Sequence, residues 1–303
     1  MCGISGIVHK KASFDRPAPI GRDLVRMLDS LAHRGRDSTG FTVAGEHSEA
    51  DLIVRIWTDT RPLQDALKQI NDELSRCDAL VVSVDVEDGF IRLSVNYDGS
   101  TPFLAETLLA IPGVVIHSIG ESSEIVKDVG TASDMDAKHH LADLTGTHGI
   151  GHVRMATESV VDISHAHPFW AYPFPDVTVV HNGQLTNYHK MKRRYEDNGH
   201  HFLTHNDSEL IAVYLADKIA NGESLENALK ASLDDLDGTF TYLVSTRDGI
   251  GYAKDQWSAK PLVTMETEDV VAVASEEIAL RSVFKDEIDR IEPQQSEVIT
   301  WIL

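Results

Sequence analysis

Cys2-Gly3-Ile4-Ser5-Gly6-Ile7-Val8-His9 is dense enough in apolar residues to read as a short, buried β-strand that opens at the second residue of the chain. A strand placed there carries one side chain of distinctive chemistry, the Cys2 thiol, at its leading end. A thiol attacks carbonyls as its thiolate, and at an unperturbed pKa of about 8.5 only a few per cent is ionised at neutral pH. Removal of Met1 would free the Cys2 α-amine, whose unperturbed pKa of about 7.7–8.0 suits it to exchange a proton with the thiol directly or through one water. Such a nucleophile brings its own base and needs no histidine from elsewhere. Taken alone, a cysteine at position 2 reads as an accident of sequence.

Working outward, 22–32 places Leu24, Met27, Leu28 and Leu31 at helical spacing and delivers the polar group 33–40, after which 41–44 reads as a strand. Residues 51–119 then give apolar runs at 52–57, 79–86, 90–97 and 114–119, with helical patterns at 62–76 and 101–111. That β-α-β-β-α-β order is the order of a ferredoxin-like unit, so a small α/β subdomain is expected to be inserted at 51–119. Residues 121–146 look like a polar, partly helical connector. Strands resume at 149–155 and 177–181, and amphipathic helices at 208–220 and 224–236. Four strands at hairpin spacing follow (239–245, 249–254, 262–265 and 270–274), then a helix at 277–284 and a strand at 296–302. One α+β domain over 1–303 with an insertion is the expected organisation.

Composition narrows the function. Asp and Glu number 48 against 27 Lys and Arg, a formal charge of -21, which argues against nucleic acid or an acidic membrane as a partner. No apolar run approaches the roughly 18 residues needed to cross a membrane, and 1–25 lacks the layout of a signal peptide, so a cytoplasmic location is expected. The two cysteines, Cys2 and Cys77, exclude a disulfide scaffold, and Cys77 reads as a small buried hydrophobe. His139-His140 and His200-His201 are adjacent pairs with no acidic or thiol residue to complete a metal set, and are expected at the surface. The glycines form no phosphate-binding loop. No metal or cofactor is expected in this chain.

Six blocks occur in order, the opening strand being the first: Cys2-Gly3-Ile4-Ser5-Gly6-Ile7, His33-Arg34-Gly35-Arg36-Asp37-Ser38-Thr39-Gly40, Gly151-His152-Val153-Arg154-Met155-Ala156-Thr157, Ala166-His167-Pro168-Phe169, Val180-His181-Asn182-Gly183 and Asn206-Asp207-Ser208-Glu209. Together they closely resemble the class II glutamine amidotransferases, N-terminal-nucleophile hydrolases that serve glutamate synthase, glucosamine-phosphate synthase, amidophosphoribosyltransferase and asparagine synthetase. The resemblance implies a four-layer αββα sandwich and a glutaminase in which Cys2 forms a thioester. It makes Asn182 and Gly183 the oxyanion-hole pair, a task that a side-chain amide and a backbone N–H can share; standing alone, Asn-Gly would read as a type I′ turn. It gives Arg154 the α-carboxylate of glutamine, which suits a bidentate guanidinium, and Asp207 the α-ammonium, although Asp207 also stands where a helix N-cap would. Thr157 falls at a substrate-binding threonine, Arg34 at a structural arginine beside the nucleophile strand, and Gly3 supports the nucleophile. Relatives usually read Arg-Trp-Ala-Thr-His or Arg-Tyr-Ser-Thr where this chain has Arg154-Met155-Ala156-Thr157-Glu158, and Asn-Ala-His-Pro where it has His165-Ala166-His167-Pro168, so details of glutamine contact differ.

Within the family, 146–159, 232–241 and Lys260-Pro261 most resemble the separate amidotransferase subunits of split glutamate synthases, whose relatives serve N-methylglutamate synthase. That resemblance implies a hetero-oligomer with a glutamate-synthase-like subunit carrying FMN and an iron–sulfur cluster. Relatives usually continue into their acceptor enzyme, and this chain ends at Leu303, so the acceptor is expected on another polypeptide. The unit at 51–119 is either a docking or regulatory surface or a neutral insertion. Other acceptors, such as N-methylglutamate synthase or a phosphosugar enzyme, remain open. So do a different amidohydrolase, which the amino-acid-recognising pair Arg154 and Asp207 disfavours, and a non-catalytic regulatory subunit.

Overall fold

Alternation along the opening strand decides what faces what. In β1 (Gly3–His9), Ile4 and Val8 join an apolar cluster with Ile150, Val180, Leu243, Ile250 and Val273, while Ile7 joins a second cluster on the opposite face. A strand apolar on both faces has to be covered on both, and here one face meets a second sheet and the other meets helices. The computed structural model describes residues 2–45, 50–156, 161–284 and 290–303.

The first sheet has six strands in the order β13 (Val263–Glu266), β14 (Val270–Ala274), β1, β8 (His148–Arg154), β2 (Ser38–Ala44) and β7 (Ser123–Val129). The second has five, β15 (Val298–Ile302), β12 (Gly249–Lys254), β11 (Gly238–Thr246), β10 (Thr178–Leu185) and β9 (Phe169–Trp170). All neighbours pair antiparallel. Helices α1 (Ile20–Ser30), α4 (Ala132–His139) and α8 (Glu277–Val283) bury Leu24, Met27, Leu28, Met135 and Leu280 against the outer face of the first sheet. Helices α5 (Tyr188–Asp197), α6 (Asp207–Ala220) and α7 (Leu225–Asp235) cover the second. The result is the four-layer αββα sandwich.

The third sheet, β4 (Leu80–Glu87), β5 (Phe90–Asn96), β3 (Leu52–Thr58) and β6 (Val114–Gly120), carries α2 (Leu63–Arg76) and α3 (Thr101–Leu109) over a core that Ile125, Trp170 and Tyr172 of the sandwich also join. Its strand order is the ferredoxin-like one expected. Cys77 is only partly buried at the edge of this core, its thiol 3.6 Å from the Thr107 hydroxyl, so the buried-hydrophobe expectation holds in part.

Two expectations need correction. The supposed connector at 121–146 contains β7, a buried edge strand of the first sheet. Its polarity is internal: Glu124, 1% exposed, receives Arg55 and, at 3.1 Å, Arg92 from the small sheet, and Asp128 receives Lys138 at 2.8 Å. His139 is not a surface histidine, since its side chain is 6% exposed and its Nε2 lies 3.1 Å from Asp128. The four late strands at hairpin spacing make two hairpins in different sheets: β11 and β12 pair in the second and β13 and β14 in the first, because Leu262, Val271 and Val273 fill the space between the sheets.

Glu124 ties the small sheet to the sandwich, and Glu124→Ala would leave Arg55 and Arg92 partly buried without its carboxylate. The expected cost is about 3 kcal/mol, at the low end for a broken buried pair because the guanidiniums keep some solvent. Urea denaturation should show it as a lower midpoint at unchanged slope.

Candidate active site

Strand register brings the sequence blocks together. Cys2 precedes β1 on the face that Ile4 and Val8 turn toward the second sheet, and along β10 the inward face of Val180 recurs at Asn182. The two residues therefore meet at one end of the space between the sheets. The Asn182 side-chain amide donates to the Cys2 carbonyl oxygen at 3.2 Å, and Arg34 Nε donates to the same oxygen at 2.9 Å. Arg34 is itself buried and paired with Glu276. The Cys2 backbone is thus held by two donors, while its half-buried thiol lies 3.8 Å from the Met155 carbonyl oxygen. Gly3 lets the strand pack closely on its helix-covered face, since a Cβ there would stand 3.0 Å from Val153 Cγ2 and 3.2 Å from Leu31 Cβ.

Asn182-Gly183 is not a hairpin turn. Both residues lie inside β10, paired with Thr241 and Phe240. Gly183 has φ 150°, and a Cβ on it would fall 2.1 Å from the Thr239 carbonyl oxygen, so only glycine fits with its N–H in place. The 33–40 block acts on the neighbouring segment. Gly35 packs so closely that a Cβ would lie 2.4 Å from the Arg154 carbonyl carbon, Asp37 N donates to Arg154 O at 3.0 Å, and Ala156 N donates to the Asp37 carboxylate at 2.7 Å. These contacts fix the exit of β8 and with it Arg154.

Asp207 opens α6, but Asn206 is the N-cap, accepting from Ser208 N at 2.9 Å. The Asp207 carboxylate accepts from Leu185 N at 2.9 Å and lies 3.6 Å from His181 Nδ1. Burial pushes this carboxyl up. His181 and the backbone N–H groups of Leu185 and Ser208 outweigh burial and hold it below the ordinary carboxylate range, so it is ionised at neutral pH.

Cys2, Arg154, Asn182, Gly183 and Asp207 all line one cleft of about 600 Å³. It offers a thiol, an amide beside a glycine N–H, a guanidinium and a carboxylate, which is the complement of a free amino acid with a side-chain carbonyl. Tyr188, whose hydroxyl burial pushes up to about 12, and Lys260 also line it. Thr157 lies outside the described residues. Among the described residues no three His, Cys, Asp or Glu side chains converge as a metal set.

Sequence reasoning assigned no role to a histidine cluster at the wall of the cleft. His152 and His167 stack at 4.0 Å, and the Ser208 hydroxyl lies 2.8 Å from His167 Nε2 and 3.0 Å from His181 Nδ1. The signal was available in alternation, because a residue preceding an inward Asn182 has to face α6.

A family described as the glutamine amidotransferase domain matches residues 152–282. A protein of Methanothermobacter thermautotrophicus described as "Putative glutamine amidotransferase" is 41% identical over 98% of this chain and 99% of its own length. The glutamine amidotransferase-like protein GlxB of Rhizobium meliloti is 36% identical over 99% of this chain and 98% of its own. The solved glutamine phosphoribosylpyrophosphate amidotransferase from B. subtilis superposes with a TM-score of 0.61 at 20% identity, over 99% of this chain and 47% of that one, a likeness of fold. No helix among the described residues is long and apolar enough to cross a membrane.

Proposed function

The chain belongs to the class II glutamine amidotransferases, and from that premise we propose that it is a glutaminase subunit in which Cys2, freed by removal of Met1, is the nucleophile. The α-amine takes the thiol proton, and the thiolate adds to the side-chain carbonyl carbon of glutamine. The oxyanion is met by the Asn182 amide and the Gly183 N–H. The α-ammonium returns the proton to the departing nitrogen, the C–N bond breaks, and ammonia leaves a γ-glutamyl thioester. Water, its proton taken by the same amine, releases glutamate and restores the thiol. Arg154 grips the α-carboxylate and Asp207 the α-ammonium, leaving the carboxamide over sulfur. Arg34 positions Cys2 through its carbonyl oxygen.

The observation that carries this reading is the convergence of Cys2, Asn182, Gly183, Arg154 and Asp207 on one cleft. We extend the proposal to the fate of ammonia: a separate glutamate-synthase-like subunit, holding FMN and an iron–sulfur cluster, accepts it for amination of 2-oxoglutarate. The blocks at 146–159, 232–241 and 260–261 support that partner. In the assembled pair, glutamine labelled with ¹⁵N at the amide should place the label on the α-nitrogen of new glutamate. Label found solely as ammonium would point to another acceptor, and unlabelled ammonium would remove the glutaminase reading itself.

A further inference from the structure

His167 and Ser208 line the Cys2 cleft, and their chain neighbours Phe169 and Glu209 line a second cavity of about 220 Å³ between the small sheet and the sandwich. Its walls are largely apolar, from Leu109, Val114, Ile116, Phe169 and Trp170. Two nitrogen groups interrupt them. Lys127, 6% exposed on β7, donates to Ala166 O at 2.9 Å and Pro168 O at 3.2 Å. An ammonium has three protons, and the third meets no oxygen or nitrogen acceptor among the described residues: Nζ lies 5.0 Å from the centroid of the Phe169 ring, and none of the described carboxylates is within ion-pair distance. His117 on β6 is 3% exposed, and its Nε2 has no hydrogen-bond partner among the described residues. Glu209 also reaches the wall, but its two oxygens are already engaged by Leu203 N at 2.6 Å and Thr204 N at 2.7 Å.

Burial lowers the Lys127 ammonium to about 8, against the opposing pull of Glu209 and Asp162, so it remains charged at neutral pH. Burial, followed by Lys127 and Arg55, drives His117 well below its ordinary value and leaves a neutral ring with one N–H to give. A buried cation whose donors outnumber its acceptors is a standing cost that an anion would relieve.

We propose that this cavity is a binding site for a small monocarboxylate with a compact apolar body. The carboxylate takes the third Lys127 proton and the His117 Nε2–H, and the body fills the end lined by Leu109, Val114 and Trp170. A cavity of about 150 Å³ accepts benzene, so the space here admits roughly nine non-hydrogen atoms. The site is read by binding and does not rest on the Cys2 chemistry.

Benzoate is a probe of that size, and benzyl alcohol is its neutral counterpart. Calorimetric titration of the full chain should show benzoate binding roughly tenfold or more tighter than benzyl alcohol, the margin of a charge-assisted hydrogen bond. Lys127→Met should remove that margin. Val115→Phe, which narrows the cavity and leaves the lysine, should weaken both ligands, and it serves alone if the lysine variant does not fold. Equal affinity for the two probes, benzoate binding unchanged in Lys127→Met or in Val115→Phe, or benzoate displaced by saturating glutamine in a Cys2→Ala background would each overturn the proposal.

Discussion

Cys2→Ala is expected to lower kcat for glutamine hydrolysis by on the order of 10⁴-fold or more, with a melting temperature within about 2 °C of the parent. The two halves of that expectation have separate physical grounds. Among the described residues the thiol makes one weak hydrogen-bond contact, 3.8 Å from Met155 O, so its loss forfeits little. The Ser208 hydroxyl does not replace its chemistry, being held between His167 and His181. Asn182→Ala should cost less, about 10²–10³ in kcat, as one of two oxyanion donors is lost and the nucleophile stays. Ammonia release measured under single-turnover conditions, with intact mass to follow Met1 removal and the thioester, checks both. A Cys2→Ala protein that keeps even a tenth of the parent rate would take the sulfur out of the mechanism.

Cys2, Arg154, Asn182, Gly183 and Asp207 came together because strand alternation is a local rule with a long reach. If Ile4 and Val180 face one cluster, Cys2 and Asn182 follow two residues away on the same side. The small sheet was legible for the same reason, since its alternation of runs and helices needs no distant information. β7 failed the rule because Glu124, Lys127 and Asp128 are charged and inside, each held by partners ten or more residues away in sequence. α5 was unreadable in a text of lysines and arginines in which only Met191 and Tyr195 are buried. Hairpin spacing announced β11 to β14, but which sheet receives each pair is decided by packing between the sheets. The histidine pairs misled through position, since His139 owes its burial to Asp128 and Phe90 rather than to any pattern around it.

Acidification should unfold this protein earlier than its carboxylates alone would. His117, His148, His152 and His167 are buried, and burial is the chief cause that holds each ring neutral. His148 is lowered to about 4 despite its bond to Thr246 O at 2.8 Å, and His152 to about 3, with His181 and Arg154 adding to the effect. An unfolded histidine takes its proton near pH 6.5. Below that pH the unfolded chain binds protons that the native state refuses, so the stability present above pH 6.5 is lost progressively until the native pKa is reached. At pH 5 the gap from the unfolded value costs about 2 kcal/mol for each of His148 and His152, and His117 and His167 act in the same direction. Asp176 and Glu209, which burial holds above their ordinary values, work the other way and recover some stability as they protonate. Urea unfolding from pH 7.5 to 5 should therefore show a fall of about 4 kcal/mol or more, with a slope at pH 5.5 corresponding to about three to four protons taken up on unfolding. A flat profile over that range would mean that the rings accept protons inside the fold, and that the apolar packing around the His152 and His167 stack does not exclude charge.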